Sequence, residues 1–213
     1  MMTSRPLLYS YRCCPYAIRA RISLLIANIE FDIHEIVLKD KPAAMLAASP
    51  KGTVPVLCLP DGTVIDQSWD IIQWALQQND VCHWWQAAQS TDNLALLHTN
   101  DGEFKYHLDR YKYPERFADS QGRETHRQQA MACLLQPLAT RLSASRFLGG
   151  EQACATDIAI FPFIRQFAAI DPIWFAEQPL PTLHQWLSYW LTEPLFLRCM
   201  AKVPSQQTVG FPQ

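Results

Sequence analysis

"YRCCPYAIRARISLL", residues 11–25, sets two adjacent cysteines directly before a proline and an apolar run. Proline suits the first turn of a helix, where its missing N–H would have no partner and its fixed φ is already helical. Pro15 therefore starts a helix and puts Cys14 at its N-terminus. Unpaired N–H groups and the positive end of the helix dipole favour a thiolate there, lowering a cysteine pKa from about 8.5 into roughly the 3.5–7.5 range. Arg12, Arg19 and Arg21 add positive charge nearby. The plainer reading makes both cysteines small residues in a tight strand-to-helix turn. Cys13 precedes the cap, so its side chain is expected to point away from the helix N-terminus.

Downstream of that junction Ile18, Ile22, Leu25 and Ile26 line one helical face. Upstream, "LLYS" (7–10) is strand-like, and "FDIHEIV" (31–37) is a second β-rich run. A short helical piece, "PAAMLAA" (42–48), precedes "TVPVLCL" (53–59) and "TVIDQ" (63–67), two strands joined by the turn residues "PDG". Ser68 opens a further helix with Trp69, Ile72 and Leu76 on one side. The resulting order, β-α-β-α-β-β-α, describes a small mixed sheet with helices.

Past about residue 80, "NDVCHWWQAAQSTDN" reads as a linker, and no strand alternation follows it. Helices are expected at 92–111, 123–144, 156–169 and 180–191, separated by "PERFADSQG", "SRFLGGEQA" and "DPIWFAEQPLP".

With 213 residues, 49% of them apolar and 18% charged, the chain has the composition of a globular protein rather than a disordered one. A formal net charge of −2 gives no global attraction to nucleic acid or anionic membrane. The N-terminal apolar stretch is too short for a signal peptide, and no run approaches a membrane span, so a cytosolic location is expected. Seven scattered cysteines show no disulfide framework or zinc spacing. Six histidines without ligand spacing, and no Gly-rich phosphate loop, give no support to metal or nucleotide chemistry.

"CPYA" at 14–17 resembles the "CPYC" active site of glutaredoxins with the second cysteine replaced by alanine. The element order is similar to a thioredoxin-like domain, and "TVPVL" (53–57) resembles the loop that carries a cis-proline facing the active thiol in that superfamily. With the helical half appended, the whole chain resembles a cytosolic glutathione transferase, nearest to the omega class. The likeness is strong over residues 7–78 and lies only in pattern afterwards, apart from "ATDIAIFPFIRQF" (155–167). It implies a thioredoxin-like, glutathione-binding domain over 1–80 and an all-helical domain over 92–213 that forms the second-substrate side of a cleft, with a homodimer as the assembly.

The same resemblance makes Cys14 the residue that forms a mixed disulfide with glutathione, and Lys41 the one that reaches the glycine carboxylate. Val54, before Pro55, would offer its backbone to the cysteinyl part, and Gln67 with Ser68 would hold the γ-glutamyl group. Tyr16, in the CPYA motif, joins this glutathione-binding set. Lys41 also reads as a solvated surface residue, and Ser68 as an ordinary N-cap with Gln67 in a turn. Gln67 stands where omega enzymes carry glutamate, which leaves the class open.

Two features depart from the family pattern. Cys154 replaces the Ser/Thr of a capping box that ends at Asp157, which weakens the cap unless Thr156 substitutes. Pro162 lies inside the following helix, where it should remove one backbone hydrogen bond and kink it; the family signature tolerates a proline there, so the helix is kept. In "FKYHLDRYKYPERF" (104–117) the basic and aromatic residues interleave. Phe104, Leu108 and Tyr111 share a helical face, as core residues would, and the resemblance also makes them candidates for the second-substrate pocket.

The activity implied is glutathione-dependent thiol transfer, with glutathione as co-substrate, a small disulfide or electrophile as partner, and no metal. Ala17 excludes a dithiol route through this motif. Conjugation of glutathione to electrophiles, with Ser10 as a reserve hydroxyl, is the alternative enzyme. A non-enzymatic binding or regulatory module on the same fold is the other alternative, though such a module has no need for Lys41, Gln67 and Ser68 together.

Overall fold

The structure, a computed structural model, describes residues 5–117 and 121–212; residues 118–120 of the separator predicted at 114–122 lie outside this range. The chain forms two compact units. One runs through Cys82 and resumes at Thr192; the other is His83–Leu191.

In the first unit the predicted order is present: β1 (Leu7–Ser10), α1 (Pro15–Ile26), β2 (Phe31–Glu35), α2 (Ala43–Ala48), β3 (Val56–Cys58), β4 (Val64–Ile65) and α3 (Ser68–Gln78). β1 runs parallel to β2 and antiparallel to β3, so the sheet is mixed. Leu8, Ile33, Val56 and Leu57 are buried in it. α1 packs against α3 and has almost no solvent face, because every residue from Ala17 to Leu25 is buried. Each such aliphatic side chain contributes about 1.5–3 kcal/mol relative to exposure.

The end of the chain differs from expectation. Residues 192–213 belong with the first unit, and they are not all helical. α12 (Pro194–Cys199) packs on α1, and β5 (Thr208–Phe211) pairs antiparallel with β2 to give the five-stranded order β4-β3-β1-β2-β5. Phe211 stacks on Phe31 at 5.3 Å, and the Arg21 guanidinium lies 4.9 Å from the Phe211 ring centre. Arg21 also donates to the Ala201 carbonyl at 3.2 Å and lies 3.6 Å from Glu35. Four residues containing Gly210 carry too little alternation to announce a strand. The edge of β2 and a buried arginine define it instead.

The second unit is helical. Two long helices are each interrupted by a π turn: α5 (Thr91–Thr99) continues through Asn100–Phe104 into α6 (Lys105–Lys112), and α7 (Arg123–Ala130) through Met131–Leu135 into α8 (Gln136–Ala144). The two π turns pack on each other. α9 (Ala155–Ala168) has Ile158, Phe161, Phe163 and Ile164 fully buried, and it continues as a helix through Pro162. α11 (Pro181–Thr192) supplies Trp186 and Trp190, whose rings pack on Phe161.

Two short helices lie where connections were expected. α4 (Trp84–Ala88) falls within the supposed linker and α10 (Pro172–Ala176) within the last separator. Five residues are too few to show a period, and tertiary burial of Trp84 and Phe175 holds them.

The capping box of α9 forms with both halves present, the Cys154 side chain accepting from the Asp157 backbone N–H and the Asp157 side chain reaching back to Cys154. The Asp157 carboxylate accepts the Cys154 N–H at 2.9 Å, the Leu148 N–H at 3.1 Å and the Trp186 indole N–H at 2.8 Å. Burial pushes this carboxyl upward, and the three N–H donors pull it down.

Candidate active site

Pro15 is the first residue of α1 and Cys14 its N-cap, with an extended backbone and no side-chain cap bond to the helix. The amino end of the dipole is therefore directed at the thiol region. Cys14 is half-buried, and its Sγ lies 3.8 Å from the Val54 carbonyl oxygen in the geometry of a weak S–H donor. Val54–Pro55 is a cis peptide. Cys14 packs against an apolar cluster that includes Tyr9, Ala17, Val54 and Val56, so one side of the residue rests on apolar surface. Cys13 is exposed.

The thiol and the Val54–Pro55 loop lead on to the other predicted residues. Tyr16 lies under the Arg19 guanidinium at 5.4 Å, and Arg19 donates from Nη1 to the Ser68 hydroxyl at 3.3 Å. Gln67 is the exposed N-cap residue of α3 and Ser68 the first residue of that helix, with no side-chain cap bond. Asp66, just before them, accepts from Ser49 at 2.6 Å and from Lys51 at 2.8 Å, which ties the loop ahead of α3 to the one ahead of β3. Those donors hold the Asp66 carboxyl below the usual range. Lys41 is exposed, and its ammonium lies beside Gly52, whose φ of +61° suits glycine.

Arg19 and Asp66 escaped sequence reasoning in different ways. Arg19 is fully buried and acts on Ser68, whereas its sequence reading was a general positive charge. A signal was present: a helix apolar on nearly every side leaves an arginine no solvent to point into, so it must have a partner. Asp66 gave none, because its partners come from a different loop.

Phe104, Leu108 and Tyr111 are placed in the core of the helical unit. Phe104 and Leu108 are fully buried, and Phe104 and Tyr111 pack on Phe167 at 5.9 and 5.3 Å. These side chains are engaged in packing, as the core reading of their shared helical face expects. Ser10 is buried, and its hydroxyl has no hydrogen-bond partner among the described residues. Among the described residues no group of three or more His, Cys, Asp or Glu side chains could hold a metal ion, and no helix is long and apolar enough to cross a membrane.

Other thiols are electrostatically distinct. Burial pushes Cys133 up to about 11 and Cys154 up to about 12, with Glu103 and Asp157 respectively adding to the shift. Burial also raises Cys58 and the Tyr9 phenol.

Comparison with known proteins fits this geometry. Residues 8–81 match the family model "Glutathione S-transferase, N-terminal domain". Over nearly the whole chain the fold is that of glutathione transferases. A glutathione transferase family member from Pseudomonas fluorescens Pf-5, solved with two glutathione bound, is 18% identical with a TM-score of 0.77, covering 92% of each chain. A glutathione S-transferase from Methylobacillus flagellatus KT with glutathione bound is 21% identical, TM-score 0.75, covering 91% of this chain and 98% of that one. One from Pseudomonas putida, with one glutathione disulfide bound per subunit, is 18% identical, TM-score 0.76, covering 95% and 93%.

Proposed function

We propose that this chain, whose residues 8–81 match the glutathione S-transferase N-terminal domain family, is a cytosolic glutathione-dependent thiol transferase of omega-like character acting through Cys14. The observation that carries the reading is the position of Cys14 at the uncapped N-terminus of α1, with its sulfur against the Val54 carbonyl. Helix polarity favours the thiolate, and the neighbouring Val54 backbone suits the cysteinyl amide of a glutathione laid along the loop. Lys41 would meet the glycine carboxylate, while Gln67 and Ser68, at the N-terminus of α3, would hold the γ-glutamyl carboxylate. Tyr16 and Pro55 would complete the glutathione-binding set. The glutathione seen in structures of the same fold supports a tripeptide of this kind as co-substrate.

The chemistry balances in two displacements. The Cys14 thiolate attacks the glutathione sulfur of a glutathionylated thiol; the S–S bond breaks, the substrate sulfur leaves as a thiolate and takes a proton, and a Cys14–glutathione disulfide remains. The thiolate of a second glutathione attacks the glutathione sulfur of that disulfide. Glutathione disulfide leaves and Cys14 returns as thiolate, so the net exchange consumes one free glutathione: the substrate sulfur is released as a thiol and its former glutathionyl group leaves in the glutathione disulfide. Ala17 offers no sulfur to intercept the mixed disulfide.

The test is turnover of a glutathionylated peptide, with mass spectrometry of enzyme trapped by excess glutathione disulfide. Glutathione on Cys14, with turnover lost in Cys14→Ser and kept in Cys13→Ser, is expected. Full turnover in Cys14→Ser would sink the proposal. Retention of conjugating activity alone in that variant would instead favour conjugation as the activity.

A further inference from the structure

The helical unit contains a cavity of about 340 Å³ lined by Leu142, Arg146, Phe147, Thr182, Trp186 and Tyr189, with Gln185 at its side. None of these residues belongs to the glutathione set, and the volume falls at the small end of the roughly 300–1,000 Å³ typical of ligand pockets. Its chemistry is selective. Phe147 and Tyr189 meet edge to face at 5.0 Å, and the Arg146 guanidinium lies 5.0 Å from one ring centre and 5.2 Å from the other. Arg146 has no carboxylate within ion-pair reach among the described residues, and the exposed Gln185 amide likewise has no partner among them.

Two other polar groups of the lining are already engaged. The Thr182 hydroxyl donates to the Ala139 carbonyl at 2.9 Å and the Trp186 N–H to Asp157. The cavity thus offers π-rich and aliphatic walls, one uncompensated cation and one amide.

The walls are also fixed before anything binds. Phe147 and Gly150 exchange two backbone hydrogen bonds of 2.9 and 3.1 Å, and the Ser145 hydroxyl donates to the Phe147 carbonyl at 2.8 Å. Gly149 is held by space: a Cβ there would sit 2.5 Å from the Gln152 carbonyl oxygen. Asp157 joins the loop at Leu148 to the indole of Trp186 through a single oxygen, Oδ1, so both sides of the cavity share one anchor. Rigid walls reduce the ordering cost of binding.

We propose that this cavity is a binding site for a small planar aromatic anion, its ring against Phe147, Tyr189 and Trp186 and its carboxylate on Arg146 and Gln185. A guanidinium already seated on aromatic faces keeps its N–H edge for a carboxylate while its own plane is stacked. An aliphatic anion lacks the ring contacts and a neutral aromatic lacks the ion pair.

The full chain is titrated calorimetrically with 2-naphthoate and, separately, with 2-naphthalenemethanol, with and without saturating glutathione. Naphthoate is expected to bind roughly tenfold or more tightly than the alcohol. Arg146→Gln should weaken naphthoate by about the same factor and erase the preference, and glutathione should leave the affinity unchanged. Gln185→Glu, an exposed substitution that adds a carboxylate to the same lining, gives an independent reading in the same direction. Unaltered naphthoate affinity in both variants, equal binding of acid and alcohol, displacement by glutathione, or no binding would each overturn the proposal. Neither Cys14 nor thiol transfer enters these readouts.

Discussion

The sulfur of Cys14 stands 3.8 Å from the carbonyl oxygen of Val54, a residue 40 positions further along the chain. The contact joins a helix N-terminus to the Val54 backbone, so the sulfur proposed to react and the edge proposed to pair with glutathione are held by one local arrangement. Glutathione binding is therefore expected to protect Cys14 from iodoacetamide in proportion to site occupancy. Labelling of Cys13, which is exposed, should change far less. Peptide mapping after timed alkylation reads both.

Among the remaining thiols, reactivity should follow burial. Cys133 and Cys154, pushed up to about 11 and about 12, carry almost no thiolate at pH 8, so they are expected to stay unlabelled until the protein is unfolded. Prompt native-state labelling of Cys154 would contradict its placement against Asp157.

Ser68 receives a hydrogen bond from Arg19, which makes Arg19 a positioning residue for the proposed γ-glutamyl contact. Ser68→Ala should raise the KM for glutathione roughly tenfold. Arg19→Met should raise it in the same direction while leaving kcat nearly unchanged. Because both act through one hydroxyl, the double variant should be little worse than the worse single one. Additive effects would assign Arg19 a separate role.

Asp66 gives a pH signature. Its carboxyl is held low by hydrogen bonds from Lys51 and Ser49, with the Lys51 charge adding. A depressed carboxyl contributes stability that is fully present above the unfolded value, about 4, and lost as pH falls through the lower folded value. The melting-temperature gap between wild type and Asp66→Asn is thus expected at pH 7 and pH 5 and should close below about pH 4. A gap that widens on acidification would reverse the sign.

Asp157 accepts three N–H groups while fully buried. Asp157→Ala strands all three donors and leaves a void, so a loss of about 3–5 kcal/mol by denaturant unfolding is expected.

How far the sequence reached depended on where each residue's partners lie. The β-α-β-α-β-β-α order was legible because each element carries its own period or turn, and Cys14 was legible because Pro15 sets the helix start next to it. β5 was hidden, since its four residues become a strand only against β2. The π turns at Asn100–Phe104 and Met131–Leu135 were hidden as well, because they interrupt otherwise continuous helical patterns and pack on one another. Phe104, Leu108 and Tyr111 formed a visible apolar face, but only packing shows that Phe167 covers it.

The return of the last residues to the sheet inverts the order in which the chain can be finished. A ribosome releases β1 to α3 first and the helical unit next, yet the outer edge of β2 has no native partner until Thr208–Phe211 emerges. The half synthesised earliest is the one completed last, and in the interval its open strand edge is exposed to pairing with other nascent chains.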